Sequence, residues 1–404
     1  MSARRDAIFA LALWRIQGTF PAMTLRESTH HADALELVGA VLRRKSSLEW
    51  ILKQCVQRMP SGELWAALMV GAAQLLVMPG MAEHAAIAET VEAAKPIGRD
   101  AAKFVNAVLR RIQRERAPLL TALAAQPEHL QRDIPRTLWT RWCDAFGLEQ
   151  TRAIAEALAT APQVCVRPLP PHPAPAECTP HPDDESGTFI VPRHTRITDL
   201  TGYAEGAFVV QDAATRHAVE LMDVAPGMAV LDACAAPGGK TAQLAARLGT
   251  TDQLIANEYS ATRLDTLRDT LTRCGLSERV TVQQADATTT HFGYFDRILL
   301  DVPCSNTGVF GRRPDARWTW TQQKLTQLLQ TQRALLDNLA PQVKPGGRLI
   351  YSTCSIEPEE NEAQIDAFLA RHPDFTRGEL RRDFPTPTHD GAFACSLNRL
   401  LARR

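Results

Sequence analysis

The sequence has no excess of either charge. Lys+Arg and Asp+Glu number 45 each in 404 residues, so the formal net charge is zero. That excludes a uniformly basic chain that coats nucleic acid, and a chain held disordered by its own charge. No stretch of about 18 uncharged apolar residues occurs, so no membrane-spanning helix is expected. The opening MSARRDAIFALALWRIQG has a short apolar run broken by Trp14-Arg15, with no small-residue cleavage site after it. It reads as an amphipathic helix rather than a signal peptide. Cys-x-x-Cys is also missing. The nine cysteines are odd in number and widely spaced, which argues against a disulfide framework and against a zinc site. The expectation is a reducing cytoplasm, no metal and a monomer. Each cysteine is then either a small buried hydrophobe or a reactive thiol.

What is present changes along the chain. Residues 1 to about 120 read as helix, with Leu35, Val38, Leu42 and Leu64, Leu68, Leu75 at helical spacing. Residues 1–116 carry 16 Lys/Arg against 11 Asp/Glu, while the remainder carries 29 against 34. The zero net charge therefore hides a basic N-terminal part. Its basic residues gather at Arg43-Arg44-Lys45 and along Lys103, Arg110, Arg111, Arg114 and Arg116. These form either a solvated helix face or a face that contacts phosphates. Residues 121–204 read as further helices, anchored by Trp139 and Trp142, followed by a proline-rich stretch that forms an irregular connector with short strands rather than core. From about 205 to 404 the pattern alternates. Apolar strands are expected at 228–233, 253–257, 280–284, 296–301 and 347–352, with helices between, which implies a mostly parallel sheet covered by helices.

The strongest local signal is Val230-Leu231-Asp232-Ala233-Cys234-Ala235-Ala236-Pro237-Gly238-Gly239-Lys240-Thr241, which leaves a strand and opens a helix. Such a turn presents backbone N–H groups to a ligand. A phosphate-binding G-x-x-x-x-G-K-[ST] loop would need glycine at 234, where cysteine stands, so a nucleoside-triphosphate loop is excluded. The G-x-G-x-x-G spacing is missing too. Glu258 ends the next strand, 19 positions after Gly239, where an acid is placed for ribose hydroxyls. Asp232, Glu258, Asp286 and Asp301 thus mark four consecutive strand ends on the edge where open α/β sheets bind ligands.

Two cysteines follow strands directly, in Asp301-Val302-Pro303-Cys304-Ser305 and Tyr351-Ser352-Thr353-Cys354-Ser355. A thiol at this edge suits methylation at carbon 5 of cytosine, which is a poor nucleophile. Thiolate addition at carbon 6 turns the 5,6 bond into an enamine-like nucleophile. The bland alternative is a pair of buried small residues.

Asp232–Thr241, Asp301–Gly308 and Thr353-Cys354-Ser355-Ile356-Glu357-Pro358-Glu359-Glu360-Asn361 together resemble the RNA cytosine-5 methyltransferases of the Sun/Nop2 group. Residues 86–92 and 104–111 resemble the NusB-like RNA-binding domain. The resemblance implies a multidomain chain: an all-α NusB-like N-terminal domain over 1–120, a connector over 121–204 that offers an RNA-binding subdomain, and an α/β Rossmann-like S-adenosylmethionine-dependent methyltransferase domain over 205–404. It implies S-adenosyl-L-methionine as cofactor, held by Cys234, Ala235, Ala236, Pro237, Gly238, Gly239 and Lys240, with Glu258 at the ribose, Asp286 near the adenine and Asp301, the acid after the fourth strand, in both a cofactor-binding and a catalytic role. Cys354 takes the family's nucleophile position, and Cys304 the position that assists product release. Small-subunit (16S) ribosomal RNA is the implied substrate, with Arg110, Arg111 and Arg114 as its candidate contacts. The alternative is a non-catalytic RNA-binding assembly factor that retains the fold. Arg167-Pro168-Leu169 stands where the family often shows Arg-x-Asn, and Asp390-Gly391-Ala392-Phe393 matches its Asp-Gly-Phe-Phe loosely.

Overall fold

The computed structural model describes residues 2–78, 80–183, 187–193, 195–250 and 252–401. The chain divides into two compact units, Met1–Ala161 with Phe310–Thr319, and Pro162–Val309 with Trp320–Arg404. Among the described residues, no helix is long and apolar enough to cross a membrane.

The first unit is built of helices. Its central helix, Gly62–Leu76, is apolar on every side and buries all residues from Trp65 to Leu75, as a helix at the middle of a bundle must. Helices Ala3–Gln17, Glu83–Ala94 and Arg99–Arg114 surround it. Arg99–Arg114 turns Ala102, Val105, Val108, Leu109 and Ile112 inward, one stripe at three- and four-residue spacing. Gly71 permits the close approach of that helix, since a Cβ there would fall 2.5 Å from Leu109 Cδ1. Gln74 is the polar exception in the central helix, and its amide is satisfied. It donates to Thr90 Oγ1 at 2.9 Å and accepts from Arg4 Nε at 2.7 Å.

The segment 310–319 belongs to this unit although the sequence places it directly after the Cys304 loop. Helix ends leave carbonyls without partners, and this segment supplies donors to them. Arg317, wholly buried, donates to the carbonyl oxygens of Asp133 at 3.0 Å and Leu158 at 2.8 Å. Trp318 Nε1 donates to Leu42 O at 2.7 Å, at the end of helix His31–Arg43. Phe310 lies against Trp142, with ring centroids 6.4 Å apart, and both are fully buried. Trp139 is half-buried. Asp133 accepts from the Ser47 amide and hydroxyl, each at 2.8 Å, and burial pushes its carboxyl up to about 6.

In the second unit, Cys165–Pro168 (β1), Thr179–Pro180 (β2), Phe189–Ile190 (β3) and Phe208–Val210 (β4) form a small antiparallel sheet in the order β2-β3-β1-β4. The proline-rich stretch is therefore more than a connector. Val166, Val191, Leu200, Ala207 and Phe208 give it a core of its own, because its prolines sit at strand ends and in loops where no ladder donor is lost.

The large sheet contains Val230–Asp232 (β5), Leu254–Asn257 (β6), Thr281–Gln283 (β7), Phe295–Asp301 (β8), Val343–Thr353 (β9), Phe375–Asp383 (β10) and Ala392–Arg399 (β11), in the order β10-β11-β9-β8-β5-β6-β7. β5 to β9 pair in parallel, and β10 and β11 add antiparallel at one edge. All five expected strands are present, and β10 and β11 are additional. The chain runs β5, β6, β7 in one direction and then places β8 on the other side of β5. The switch point thus lies between β5 and β8, where open α/β sheets open a ligand crevice at their carboxyl ends.

Arg317→Ala should destabilise the helical unit by about 3 kcal/mol, since each buried carbonyl left unpaired costs about 1–3 kcal/mol. Arg317→Lys should not restore it, because one ammonium cannot reach both carbonyls in the guanidinium's fork geometry. Chemical denaturation of the three proteins measures this, and an unchanged midpoint for Arg317→Ala would refute the anchoring role.

Candidate active site

The turn after β5 lies at the switch point, and helix Gly239–Arg247 starts from it. Gly238 adopts φ +106°, which favours glycine. A cleft of about 160 Å³ opens here, lined by Asp232, Cys234, Ala235, Ala236, Pro237, Gly239, Lys240 and Asp301 on one side. Gln211, Asp212 and Thr215, following β4, line the other side. Nothing in the sequence singled these three out, although they follow directly on a short apolar strand.

Asp232 is buried. Thr241 Oγ1 donates to its Oδ2 at 2.7 Å, and its Oδ1 has no hydrogen-bond partner. Burial pushes its carboxyl up to about 7, with the Asp301 charge adding to the shift and Thr241 and Lys240 opposing it. Burial also holds the Cys234 thiol far above its ordinary value, and the carboxylates of Asp232, Asp301 and Glu258 add to this. Lys240 donates to Asp301 Oδ2 at 2.8 Å, and Ser352 Oγ donates to Asp301 Oδ1 at 2.7 Å. Burial works to lower the Lys240 ammonium, but the Asp301 charge and hydrogen bond outweigh it and hold the group above its usual value.

The other two strand-end acids lie outside this cleft's lining. Glu258 is buried, accepts from the Ser260 amide at 2.9 Å through Oε1, and leaves Oε2 without a hydrogen bond, 3.5 Å from Arg263 Nη2. Arg263 also donates to Ala236 O at 2.7 Å, tying this acid to the glycine turn. Asp286 is exposed and engaged in its own turn. It accepts from Thr288 Oγ1 at 2.6 Å and the Thr288 amide at 2.9 Å, bonds that hold its carboxyl below the usual range.

The two cysteines meet because of strand register. β8 and β9 are parallel neighbours with Asp301 opposite Ser352, so the residues just beyond each strand emerge side by side. Cys304 and Cys354 Sγ atoms lie 3.2 Å apart, and both cysteines are free. Cys304 is 8% exposed. Cys354 is half-buried and lines a second cleft of about 150 Å³ with Lys240, Asp301, Thr215, Ala392 and Phe393. Thr215, Lys240 and Asp301 are thus common to both clefts. The hydrogen bond to Cys354, then burial, then the charges of Cys354 and Glu360 push the Cys304 thiol well above its ordinary value.

A buried carboxylate joins the two thiol loops. Glu360 Oε1 accepts from the Ser305 amide at 2.9 Å and Gln332 Nε2 at 2.9 Å, while Oε2 accepts from the hydroxyls of Ser305 and Ser355. Backbone contact closes the assembly. Gly308 N donates to Cys354 O at 3.0 Å and Gly391 N to Gly308 O at 2.9 Å, and a Cβ on Gly308 would fall 2.6 Å from Gly391 O. Asp390-Gly391-Ala392-Phe393 therefore closes one side of the thiol site.

In the helical unit the three candidate arginines differ. Arg114 has a side chain 71% exposed. Arg110 is half-buried and donates to Gln113 at 3.1 Å. Arg111 is bound to Glu115 and donates to Cys55 O at 3.2 Å.

Residues 219–389 match the family described as 16S rRNA methyltransferase RsmB/F, and residues 1–114 match the NusB family. Ribosomal RNA small subunit methyltransferase B of Salmonella arizonae is 37% identical over 366 residues, covering 85% of this chain and 83% of that protein. The chain belongs to the RsmB/F methyltransferase family. The same-named protein of Cronobacter sakazakii is 36% identical, with 84% and 82% covered. The solved structure of PH0851 shares the fold of this RsmB/F chain, with a TM-score of 0.80 at 23% identity over 98% of each chain. A methyltransferase homolog protein from Pyrococcus horikoshii aligns at TM-score 0.58 and 25% identity, over 67% of this chain and 97% of that one.

The raised carboxyl of Asp232 has a consequence for stability. An acid raised on folding favours the fold below its unfolded value, and that contribution is lost as pH rises through the folded value, here about 7. Asp232→Asn should therefore raise the melting temperature of the ligand-free protein more at about pH 8 than at about pH 5. Equal shifts at the two pH values would contradict the assignment.

Proposed function

We propose that this RsmB/F methyltransferase transfers a methyl group from S-adenosyl-L-methionine to carbon 5 of a cytosine in 16S ribosomal RNA, through a covalent bond between Cys354 and the ring. The observation that carries this reading is the thiol pair 3.2 Å apart, with the more open thiol in a cleft that shares Lys240 and Asp301 with the glycine-turn cleft.

The residues present fit the cofactor. Asp232 Oδ1 and Glu258 Oε2 are buried acceptors with no hydrogen bond. Such atoms call for donors, and a ribose hydroxyl or an α-ammonium supplies them. The two carboxylates and the start of helix Gly239–Arg247 suit a ligand with a sulfonium, an amine and a ribose. When bound, the cofactor supplies an electrophilic methyl group.

The chain's own residues do the rest. The Cys354 thiol gives its proton to solvent water, the thiolate forms a bond to carbon 6, and the displaced pair of the 5,6 bond makes carbon 5 nucleophilic. Charge that develops on the ring during addition meets the Lys240–Asp301 ion pair, a fixed dipole in a partly enclosed site. After methylation carbon 5 still holds its proton. Cys304 is kept protonated at rest chiefly by its contact with Cys354. Once Cys354 is bonded to carbon, that hydrogen bond no longer holds the Cys304 proton, which passes to solvent water, and the resulting Cys304 thiolate is the base. Removal of the carbon 5 proton restores the double bond and expels the Cys354 thiolate. Arg110 and Arg114 offer charge for phosphate contact on the helical unit, whereas Arg111 is largely committed to internal partners.

Two measurements test this. Cys304→Ala should accumulate a protein–RNA adduct that survives a denaturing gel, whereas Cys354→Ala should form none and lose methylation. Adduct from Cys354→Ala alone would reverse the roles, and adduct from neither would return the thiols to a structural part. Glu258→Ala should weaken cofactor binding by about tenfold or more, the loss of one to two buried hydrogen bonds. Unchanged affinity by calorimetry would remove Glu258 from the site.

A further inference from the structure

Asn306 stands two residues after Cys304 in the left-handed region, with φ +60°, which non-glycine residues seldom occupy and Asn tolerates best. That conformation folds its side chain back between the two thiol loops. Nδ2 donates to Cys304 O at 3.0 Å, which fixes which end of the amide carries the oxygen. Oδ1 then faces Cys354 and accepts from its thiol at 3.2 Å. The Cys354 sulfur thus has two polar neighbours at the same distance, Cys304 Sγ and Asn306 Oδ1.

The two differ in what they favour. A thiol can donate to or accept from another thiol, but an amide oxygen only accepts. Its partial negative charge favours the protonated sulfur and opposes a thiolate in the same position.

We propose that Asn306 is a further catalytic residue that accepts a hydrogen bond from the Cys354 thiol and aims its sulfur at the substrate. This rests on the reading of Cys354 as nucleophile. The titratable groups facing Cys354 are Cys304 on the loop after β8, Lys240 from helix Gly239–Arg247, Asp301 from β8, and Glu360 behind Ser305 and Ser355. β11 and the segment from Ala214 to Ala218 contribute Thr215 and apolar residues to the cleft wall. All of these remain in the variants that follow, so a difference between them belongs to Asn306.

The experiment is alkylation of Cys354 by iodoacetamide in the full chain, mapped by mass spectrometry across a pH series, together with methylation kinetics. Asn306→Gly keeps a residue at home in the left-handed region and removes the acceptor. It should speed Cys354 alkylation at neutral pH by about threefold or more, the worth of one hydrogen bond, and move the pH–rate profile to lower pH. Asn306→Asp keeps the shape and adds negative charge beside the sulfur, so it should slow alkylation and move the profile to higher pH. The Gly variant should also lose kcat with little change in KM, because aim is lost and binding is kept. Coincident alkylation rates and profiles for the three proteins would overturn the role of Asn306. Methylation that persists after Cys354 is fully alkylated would instead overturn the nucleophile assignment, an outcome distinguishable from the first.

Discussion

The site depends on the parallel pairing of β8 with β9. Asp301 opposite Ser352 sets where each strand ends, and the loops beyond place two thiols 3.2 Å apart. A shift of one residue in this register would turn one cysteine to the other face of the sheet. The flanking residues guard against that. Ser352 and Lys240 both hold Asp301, and Glu360 accepts from the serine that follows each cysteine. The buried Glu360 side chain is satisfied by hydrogen bonds whose donors lie on the elements it holds together.

Polar groups at the site fall into two kinds. Those that build it are saturated: Glu360, Asp301 and Asn361, whose amide accepts from Thr353 Oγ1 at 2.7 Å and donates to Ser355 O at 2.9 Å. Asp232, in the cleft lining, and Glu258, beside the glycine turn, each keep one acceptor atom unmatched. Unmatched acceptors at the carboxyl edge of the sheet store a cost that a ligand's donors relieve.

Much of this was legible in the sequence, for physical reasons that differ by element. β8 announces itself because it is central and its run Ile298-Leu299-Leu300 is buried. β11 is equally buried but is written in Ala392, Ala394, Cys395 and Ser396, small residues with little strand preference. β10 lies at the sheet edge and exposes charged side chains, so it carries little apolar alternation. The cysteines were visible as strand-end residues, but their contact required the register. The four strand-end acids looked equivalent. Asp286 is separated from the rest by Thr288, two positions on, whose amide and hydroxyl both bond its carboxylate. That local turn signal was present in Asp286-Ala287-Thr288. Asn306 gave no signal, since only its left-handed backbone turns it toward the sulfur.

The path of the chain through residues 310–319 also bears on how the gene can be divided. Beyond the Cys304 loop the backbone leaves the second unit, buries Phe310 and Arg317 among the helices of the first, and returns at Trp320. The two units are thus tied by three strands of covalent chain, at 161/162, 309/310 and 319/320, rather than by a single linker. A stop or start placed near residue 161 does not yield two independent proteins. It yields a helical piece that lacks the donors to its helix ends, and a second piece bearing a ten-residue segment whose Phe310 and Arg317 have lost the helices that bury them. The boundary between the units is therefore discontinuous in the sequence, and exchanging the helical unit means rewriting residues 310–319 as well.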